Sequence, residues 1–270
     1  MYIHGSIDFT NLNSDNHREC TMTLHRDDLT AYLTDFLQPD TFKDYCPNGL
    51  QVAGKSDIRR IVTGVTASQR LIDEAIERQA DAIVVHHGYF WKGEPSPVTG
   101  IKRNRLAALL AHDINLYAYH LPLDAHPEVG NNVQLAREMG WEITGEIEGT
   151  LALMGRTSGP ETGASLRTAL IDAMEFDVIH VGENEDEIET IAWCTGAAHS
   201  FLQQAIDAGV DAFVSGEINE PTVHLARESG VHYYAAGHHA TERGGPEALG
   251  RHLAQRFGVS VEFIDLPIPV

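Results

Sequence analysis

The chain has 270 residues, 43% of them hydrophobic, with 24 glycines and a net charge of −20. That length suits one large or two ordinary domains with a substantial core, and no apolar run approaches the roughly 18 residues that a bilayer span needs. The acidic balance argues against a general nucleic-acid-binding face, which would be basic. Only Lys43, Lys55, Lys92 and Lys102 among the 19 basic residues are lysine, a usage that fits either a salt-rich cytoplasm or a high-GC genome. Cys20, Cys46 and Cys194 are odd in number and far apart. They read as reduced cytoplasmic thiols, neither a disulfide framework nor a cysteine-based zinc site.

Residues 1–22 are polar and lack the basic start and apolar segment of a secretory signal, so they read as a disordered leader, with Met22 a candidate start. Leu29, Tyr32, Leu33, Phe36 and Leu37 recur at helical spacing and predict an amphipathic helix over 23–38. Residues 40–54 read as a loop around the turn sequence Pro47-Asn48-Gly49. A strand over 61–65 follows, then a helix over 68–78 capped by Ser68, with Leu71, Ile72, Ala75 and Ile76 inward. Ile83-Val84-Val85 is the β-branched run of a buried strand and ends on His86-His87-Gly88. Adjacent strand residues point to opposite faces, so both imidazoles serve one site only where the strand stops; Gly88 provides that turn. Alone, the pair would read as a loop or helix-cap pair. Next come a helix over 104–112, a strand over 114–120 that ends in His120-Leu121-Pro122-Leu123-Asp124, and a helix from about Asn131.

Strand–helix alternation predicts an α/β fold of parallel βαβ units, in which ligand sites gather at the carboxyl ends of strands. His86, His87, His120 and Asp124 all fall at such ends. The second half repeats the first. Thr63-Gly64 has a counterpart in Thr195-Gly196, and Asp81-Ala82-Ile83-Val84 in Asp211-Ala212-Phe213-Val214, so that Gly216-Glu217 stands where the first copy has His86-His87. Two related α/β domains are therefore expected, a first over 23–130 and a second over 131–237, with a cleft between them. Residues 238–270 return to the cleft and the first domain. Between the copies, a strand over 150–155, a helix over 163–174 and a solvated acidic loop around Glu183 to Glu187 are expected.

The last cluster is Gly237-His238-His239-Ala240-Thr241-Glu242-Arg243-Gly244-Gly245. A helix starting near His239 puts His238 and Glu242 on one face. A carboxylate able to bridge two cations, with histidines from another segment, is what a dinuclear divalent site needs. The alternative is that Glu242 is a helix-end acid that balances the macrodipole.

Four segments also carry a family resemblance: Asp44-Tyr45-Cys46-Pro47-Asn48-Gly49-Leu50-Gln51-Val52, Val85-His86-His87-Gly88-Tyr89-Phe90-Trp91-Lys92-Gly93-Glu94, His120-Leu121-Pro122-Leu123-Asp124-Ala125-His126-Pro127, and the Gly237–Gly245 cluster. Together they resemble the Nif-three-like family and, within it, the bacterial YbgI-type branch labelled GTP cyclohydrolase I type 2 homologues. The resemblance covers nearly all of residues 23–270. It implies two α/β domains in a ring-shaped homohexamer with two divalent ions (Zn, Mn or Fe) per subunit. Carried over motif by motif, it implies His86, His87, Asp124, His238 and Glu242 as the metal ligands, with Glu242 the bridge. Cys46 departs from the branch, which more often has a small residue before Pro-Asn-Gly, and is read as a loop thiol without a catalytic role.

Two functions fit these residues. One is a metal-dependent hydrolase of a nucleotide or related small molecule; cyclohydrolase chemistry would need attack at C8 of guanine and a general acid for ring opening and formate release. His120 and His239 are its candidate proton-transfer groups, or they orient the ligands instead. Arg243 and Lys92 are candidate anion contacts, because no phosphate-binding glycine fingerprint is present. The other is a metal-binding scaffold or metal-delivery protein without turnover. Neither needs a membrane or nucleic acid.

Overall fold

The structure, a computed structural model, describes residues 22–270, so the expected leader lies outside the described residues apart from Met22. β1 (Leu24–His25) leads into α1 (Arg26–Leu37), whose Leu29, Leu33 and Leu37 are buried and which ends on Gln38 in the left-handed region. β2 (Gly49–Val52) and β3 (Asp57–Ile58) precede the parallel unit of β4 (Arg60–Thr66), α2 (Gln69–Glu77), β5 (Ala82–His87), α3 (Gly100–Ala111) and β6 (Asn115–Ala118). Ser68 caps α2 as expected, its hydroxyl accepting the N–H of Leu71 at 3.2 Å. The short α4 (Leu121–Ala125) and α5 (Asn131–Met139) follow.

The middle of the chain adds β7 (Glu142–Glu146), β8 (Leu153–Thr162), α6 (Gly163–Met174) and β9 (Ile179–Val181). A second parallel unit then runs through β10 (Glu187–Cys194), α7 (Leu202–Asp207), β11 (Ala212–Ser215), α8 (Glu220–Ser229) and β12 (His232–Ala235). The chain continues with α9 (His238–Thr241), α10 (Gly244–Phe257) and β13 (Ser260–Phe263). β13 pairs in parallel with β4, so the last strand joins the first large sheet, ordered β13-β4-β5-β6-β2. The second is ordered β7-β8-β10-β11-β12-β9. None of the described helices is long and apolar enough to cross a membrane.

The apolar runs are explained by burial on both faces of each sheet. Ile61 and Val84 join Leu29, Leu33 and Leu249 in one core, while Val62 and Ile83 join Ile72 and Leu109 in another. Trp193 and Val214 likewise face away from Ala192 and Phe213. A central parallel strand covered on both sides reads as continuous rather than alternating hydrophobicity.

Several local expectations are corrected. Residues 49–52 form an antiparallel edge strand rather than loop; it is four residues long, starts on Gly49 at φ 110° and carries a register shift between Leu50 and Val52, so no period shows in the sequence. α3 begins at Gly100, earlier than expected, because its first turn exposes Ile101 and so lacks an apolar signature. The sheets are mixed, since β2, β7, β8 and β9 each run antiparallel to a neighbour. β8 extends well past the expected strand, whereas α6 starts and stops where its periodicity predicts.

The two parallel units share a device. Asp81 Oδ2 accepts the backbone N–H groups of Arg59 (2.7 Å) and Arg60 (3.0 Å), and Asp211 Oδ2 accepts those of Glu189 (3.1 Å) and Thr190 (2.8 Å). Ile61 pairs with Ala82 as Ile191 pairs with Ala212. These registers move the Thr63-Gly64 and Thr195-Gly196 match by two residues: Gly64 lies inside β4, whereas Thr195 and Gly196 lie in the turn after β10.

Candidate metal centre

His86 and His87 are the last two residues of β5, and Gly88 follows them out of the sheet. A Cβ on Gly88 would fall 2.5 Å from the Ala118 Cβ on the neighbouring strand and 2.2 Å from Gln51 Oε1, so a larger residue here would push against β6. His86 is fully buried and its Nδ1–H donates to the Tyr119 carbonyl at 3.0 Å. His87 Nδ1 lies 3.1 Å from the Thr66 hydroxyl. Opposite them, α9 presents His238, whose Nδ1–H donates to Glu217 Oε1 at 2.6 Å, and the helix ends as Glu242 enters. His120 Nδ1–H donates to Asp44 Oδ1 at 2.7 Å. Each imidazole thus has one nitrogen fixed by oxygen and turns Nε2 inward, as metal-binding histidines are usually oriented.

The inward atoms converge on Glu242. Its Oε1 is 3.3 Å from His86 Nε2, and its Oε2 is 3.4 Å from His87 Nε2 and 3.2 Å from His238 Nε2. Asp124 Oδ1, on α4 rather than at a strand end, is 3.5 Å from His86 Nε2. It also accepts from Asn131 Nδ2 at 2.9 Å and from the Thr195 hydroxyl at 3.2 Å. Two groups with ligand spacing result, His86 with Asp124 and Glu242, and His87 with His238 and Glu242; Glu242 belongs to both. His86 and His87 also form such a group with His120. The expected meeting of His238 with Glu242 therefore occurs, although the helix starts at His238 and stops before the carboxylate.

Burial and close packing set the charges. Burial disfavours imidazolium at His86, but Asp124 and Glu242 outweigh it and push its pKa up to about 9. His238 is likewise buried, and Glu242 and Glu217 raise it to about 9. His87 is pulled down to about 3 by burial and by its neighbour His86. Burial works against ionised Glu242, yet His86 and His87 hold it well below the ordinary carboxylate range. Burial raises Asp124. Such a cluster of opposed shifts makes these residues a candidate functional site. Any cation that binds here competes with these protons.

The donor set fits a divalent metal ion. Despite the approaches of 3.2–3.4 Å around Glu242, His86 Nε2 and Glu242 Oε2 are buried without a well-directed hydrogen bond among the described residues, a costly state for two polar atoms unless a further group satisfies them. Gly196 clears the space beside them: at φ 66° it leaves bare a position where a Cβ would lie 2.1 Å from Glu242 Oε1 and 3.4 Å from His238 Nε2. Imidazole with carboxylate suits borderline metals better than calcium.

The model of the Duf34/NIF3 (NGG1p interacting factor 3) family matches residues 24–268. The chain belongs to this family. A Yersinia pestis relative named GTP cyclohydrolase 1 type 2 homolog is 54% identical over 243 residues, covering 90% of this chain and 98% of that protein. The Escherichia coli K12 protein of the same name is 51% identical over the same length and the same shares. Among solved structures, protein ybgI, titled as of unknown function, aligns with a TM-score of 0.88 at 49% identity over 92% of this chain and all of that one. A Thermus thermophilus protein aligns at 0.83 and 35% identity over the same shares. The resemblance to the Nif-three-like family and its YbgI-type branch is borne out.

In this NIF3 chain the other expected contacts are distributed unevenly. His120 borders the ligand histidines, its ring 5.1 Å from that of His86 and 5.6 Å from that of His87. His239 is buried and donates from Nε2 to Asp265 Oδ1 at 2.9 Å, apart from the ligand groups. Arg243 is not a free anion contact. Its guanidinium is committed to Asp265 (3.1 Å) and to the Met174 carbonyl (2.9 Å). Lys92 is exposed and lies outside the ligand groups. The Cys46 thiol is buried, which with nearby Asp44 pushes its pKa up to about 12, away from thiolate chemistry. Sequence reasoning missed four supporting residues: Asp44, Asn131, Thr195 and Glu217. Asp44 opens the first resemblance segment and Glu217 aligns with His87 in the expected repeat, but neither position by itself names the histidine it holds.

Proposed function

We propose that this chain is a metal-dependent hydrolase of a nucleotide or related small molecule, working at a dinuclear centre in the cleft between two related α/β domains. One observation carries the reading: both oxygens of a single buried carboxylate, Glu242, face imidazole nitrogens that come from separate elements. Glu242 would serve as the bridge, His86 and Asp124 would hold one ion and His87 and His238 the other, and Zn²⁺, Mn²⁺ or Fe²⁺ would suit these side chains. When bound, such a pair activates water and stabilises developing negative charge. His120, anchored by Asp44, stands beside the ligands with Nε2 free to move a proton to or from a bound molecule. His239 borders the same cleft and is the second candidate, less well placed because its Nε2 is engaged. The name shared by the curated relatives supports a purine nucleotide as the substrate class.

Three further readings accompany this one. The matched Asp81 and Asp211 bonds and equal strand registers support an internal duplication, with domains over 23–130 and 131–237 and a returning segment over 238–270. The family resemblance supports a ring-shaped homohexamer. The few unpaired cysteines support a cytoplasmic location.

A second reading, a metal scaffold or delivery protein, is favoured by the partial exposure of His87 (18%) and His238 (25%), which leaves one ion position reachable. Metal analysis of the purified chain, followed by a nucleotide panel read by mass spectrometry with and without divalent ions, separates the two. Divalent-dependent conversion of a nucleotide is expected. Bound metal with no conversion of any nucleotide would favour the scaffold, and absence of bound metal would sink both.

A further inference from the structure

Beside the ligand nitrogens lies an open cleft of about 470 Å³ whose walls include Val65, Trp91, His120, Ile268 and Val270. We propose that this cleft selects an uncharged nucleoside or nucleobase and rejects its triphosphate, with Trp91 the specificity-determining residue. The inference rests on the metal-centre reading above and departs from its nucleotide substrate, taking the related uncharged nucleoside or nucleobase instead.

The first support is charge. Among the described residues no lysine or arginine lines the cleft; Arg70 lines the adjoining hollow beyond Val65 and Ile268. Arg243 is spent on Asp265 and backbone carbonyls. Lys102 sits between Glu94 (3.5 Å) and the ring of Phe90, 5.2 Å from its centroid. Bound ions would take one phosphoryl oxygen, but the remaining phosphoryl groups would press against Val65, Ile268, Val270 and the Trp91 ring, with no guanidinium or ammonium among the described lining residues to offset their charge. The net charge of −20 adds a repulsive field against a polyanion. A flat ring meets neither obstacle.

The second support is the way Trp91 is held. Its indole N–H donates to the Gly88 carbonyl at 3.2 Å, which pins the ring at the strand end that carries the ligands. The ring stands edge-on to His120 at 5.0 Å and 84°, and 6.0 Å from His87. Phe90, just before it, is in the left-handed region at φ 67°, an uncommon and strained state for an aromatic residue. That conformation is over-determined: Glu94 Oε2 accepts the Phe90 N–H at 3.0 Å, and the Lys102 ammonium lies over its ring. A strained residue locked from two sides places one aromatic ring beside the ligands. Aromatic platforms of this kind hold bases irrespective of sequence because every base has a π-face.

The test uses the full chain loaded with Mn²⁺, its metal content measured on every sample. Adenosine, guanosine, cytidine and uridine are each titrated by calorimetry beside their own triphosphates. At least one nucleoside should bind about tenfold or more tightly than its triphosphate, and Trp91→Ala should weaken that nucleoside about tenfold at unchanged metal content. Trp91→Phe, which keeps a π-face, should stay within about threefold of the parent. Triphosphates that match or exceed every nucleoside would overturn the inference while leaving the metal centre standing. So would failure of all nucleosides to bind, or parental affinity in Trp91→Ala. A chain that holds no metal would instead sink the metal-centre reading on which this one rests.

Discussion

Two histidine clusters in this molecule look alike in composition and differ in what their nitrogens do. At the end of β5, the Nδ1 atoms of His86, His87 and His238 are tied to oxygens while their Nε2 atoms meet at Glu242. At the β9–β12 edge, His180 Nε2 and His232 Nδ1 are 3.0 Å apart and satisfy each other, and His180 stacks on Tyr234 at 4.5 Å. The first cluster leaves a buried nitrogen and a carboxylate oxygen without partners; the second closes on itself. What distinguishes the candidate metal centre from a packed histidine pair is the buried polar atoms left without partners among the described residues, not the count of histidines.

The largest expected effect comes from breaking the first cluster. His86→Ala should reduce bound metal to at most one ion per chain while far-ultraviolet circular dichroism stays parental. Each well-buried Leu or Ile of the flanking cores is worth about 1.5–3 kcal/mol, so the two sheets do not depend on one histidine at the rim. A variant with parental metal content would remove His86 from the site. A smaller effect is expected from Glu217→Ala. It leaves all five proposed ligands but frees the His238 ring, which should weaken metal affinity about 10- to 100-fold, since loss of a residue that orients a ligand typically costs that much. Competition against a chelator measures it, and unchanged affinity would mean that α9 alone orients His238.

The second cluster should answer differently. His180→Gln should leave metal content unchanged. The His180 pKa is lowered to about 4 by burial and by neighbouring His232 and Arg167. With a folded pKa below the unfolded value near 6.5, the unfolded chain takes up a proton that the native chain does not as pH falls from 6.5 towards 4. Native stability should therefore decline over that window, and the decline should be shallower in His180→Gln than in the parent. Parallel melting curves across pH 4–7 would show that the pair titrates normally.

The contrast also explains what the sequence disclosed. The β-branched run before His86 and the helix over Gly163–Met174 were legible because burial leaves a periodic or continuous apolar trace. The four-residue spacing of His238 and Glu242 was legible because one helical turn sets it. Glu217 was not, because its contact with His238 exists only once β11 and α9 lie side by side. Arg243 was misjudged for the same reason: adjacency to a ligand motif says nothing of Asp265, a partner contributed by the tail after β13. Gly216-Glu217 follows β11 as His86-His87 ends β5, and on the proposed reading the two strand ends divide the labour, one supplying ligands and the other holding His238 in place.

The bridging role of Glu242 is the central claim, and metal stoichiometry after dialysis against a fixed free-metal buffer tests it most directly. The parent should hold two ions per subunit. Glu242→Gln, which keeps the shape and removes the charge offsetting two close dications, should retain at most one, and Asp124→Asn should lose one while the His87/His238 position stays filled. Two ions retained by Glu242→Gln would contradict the account and leave Glu242 a buried acid at the end of a helix.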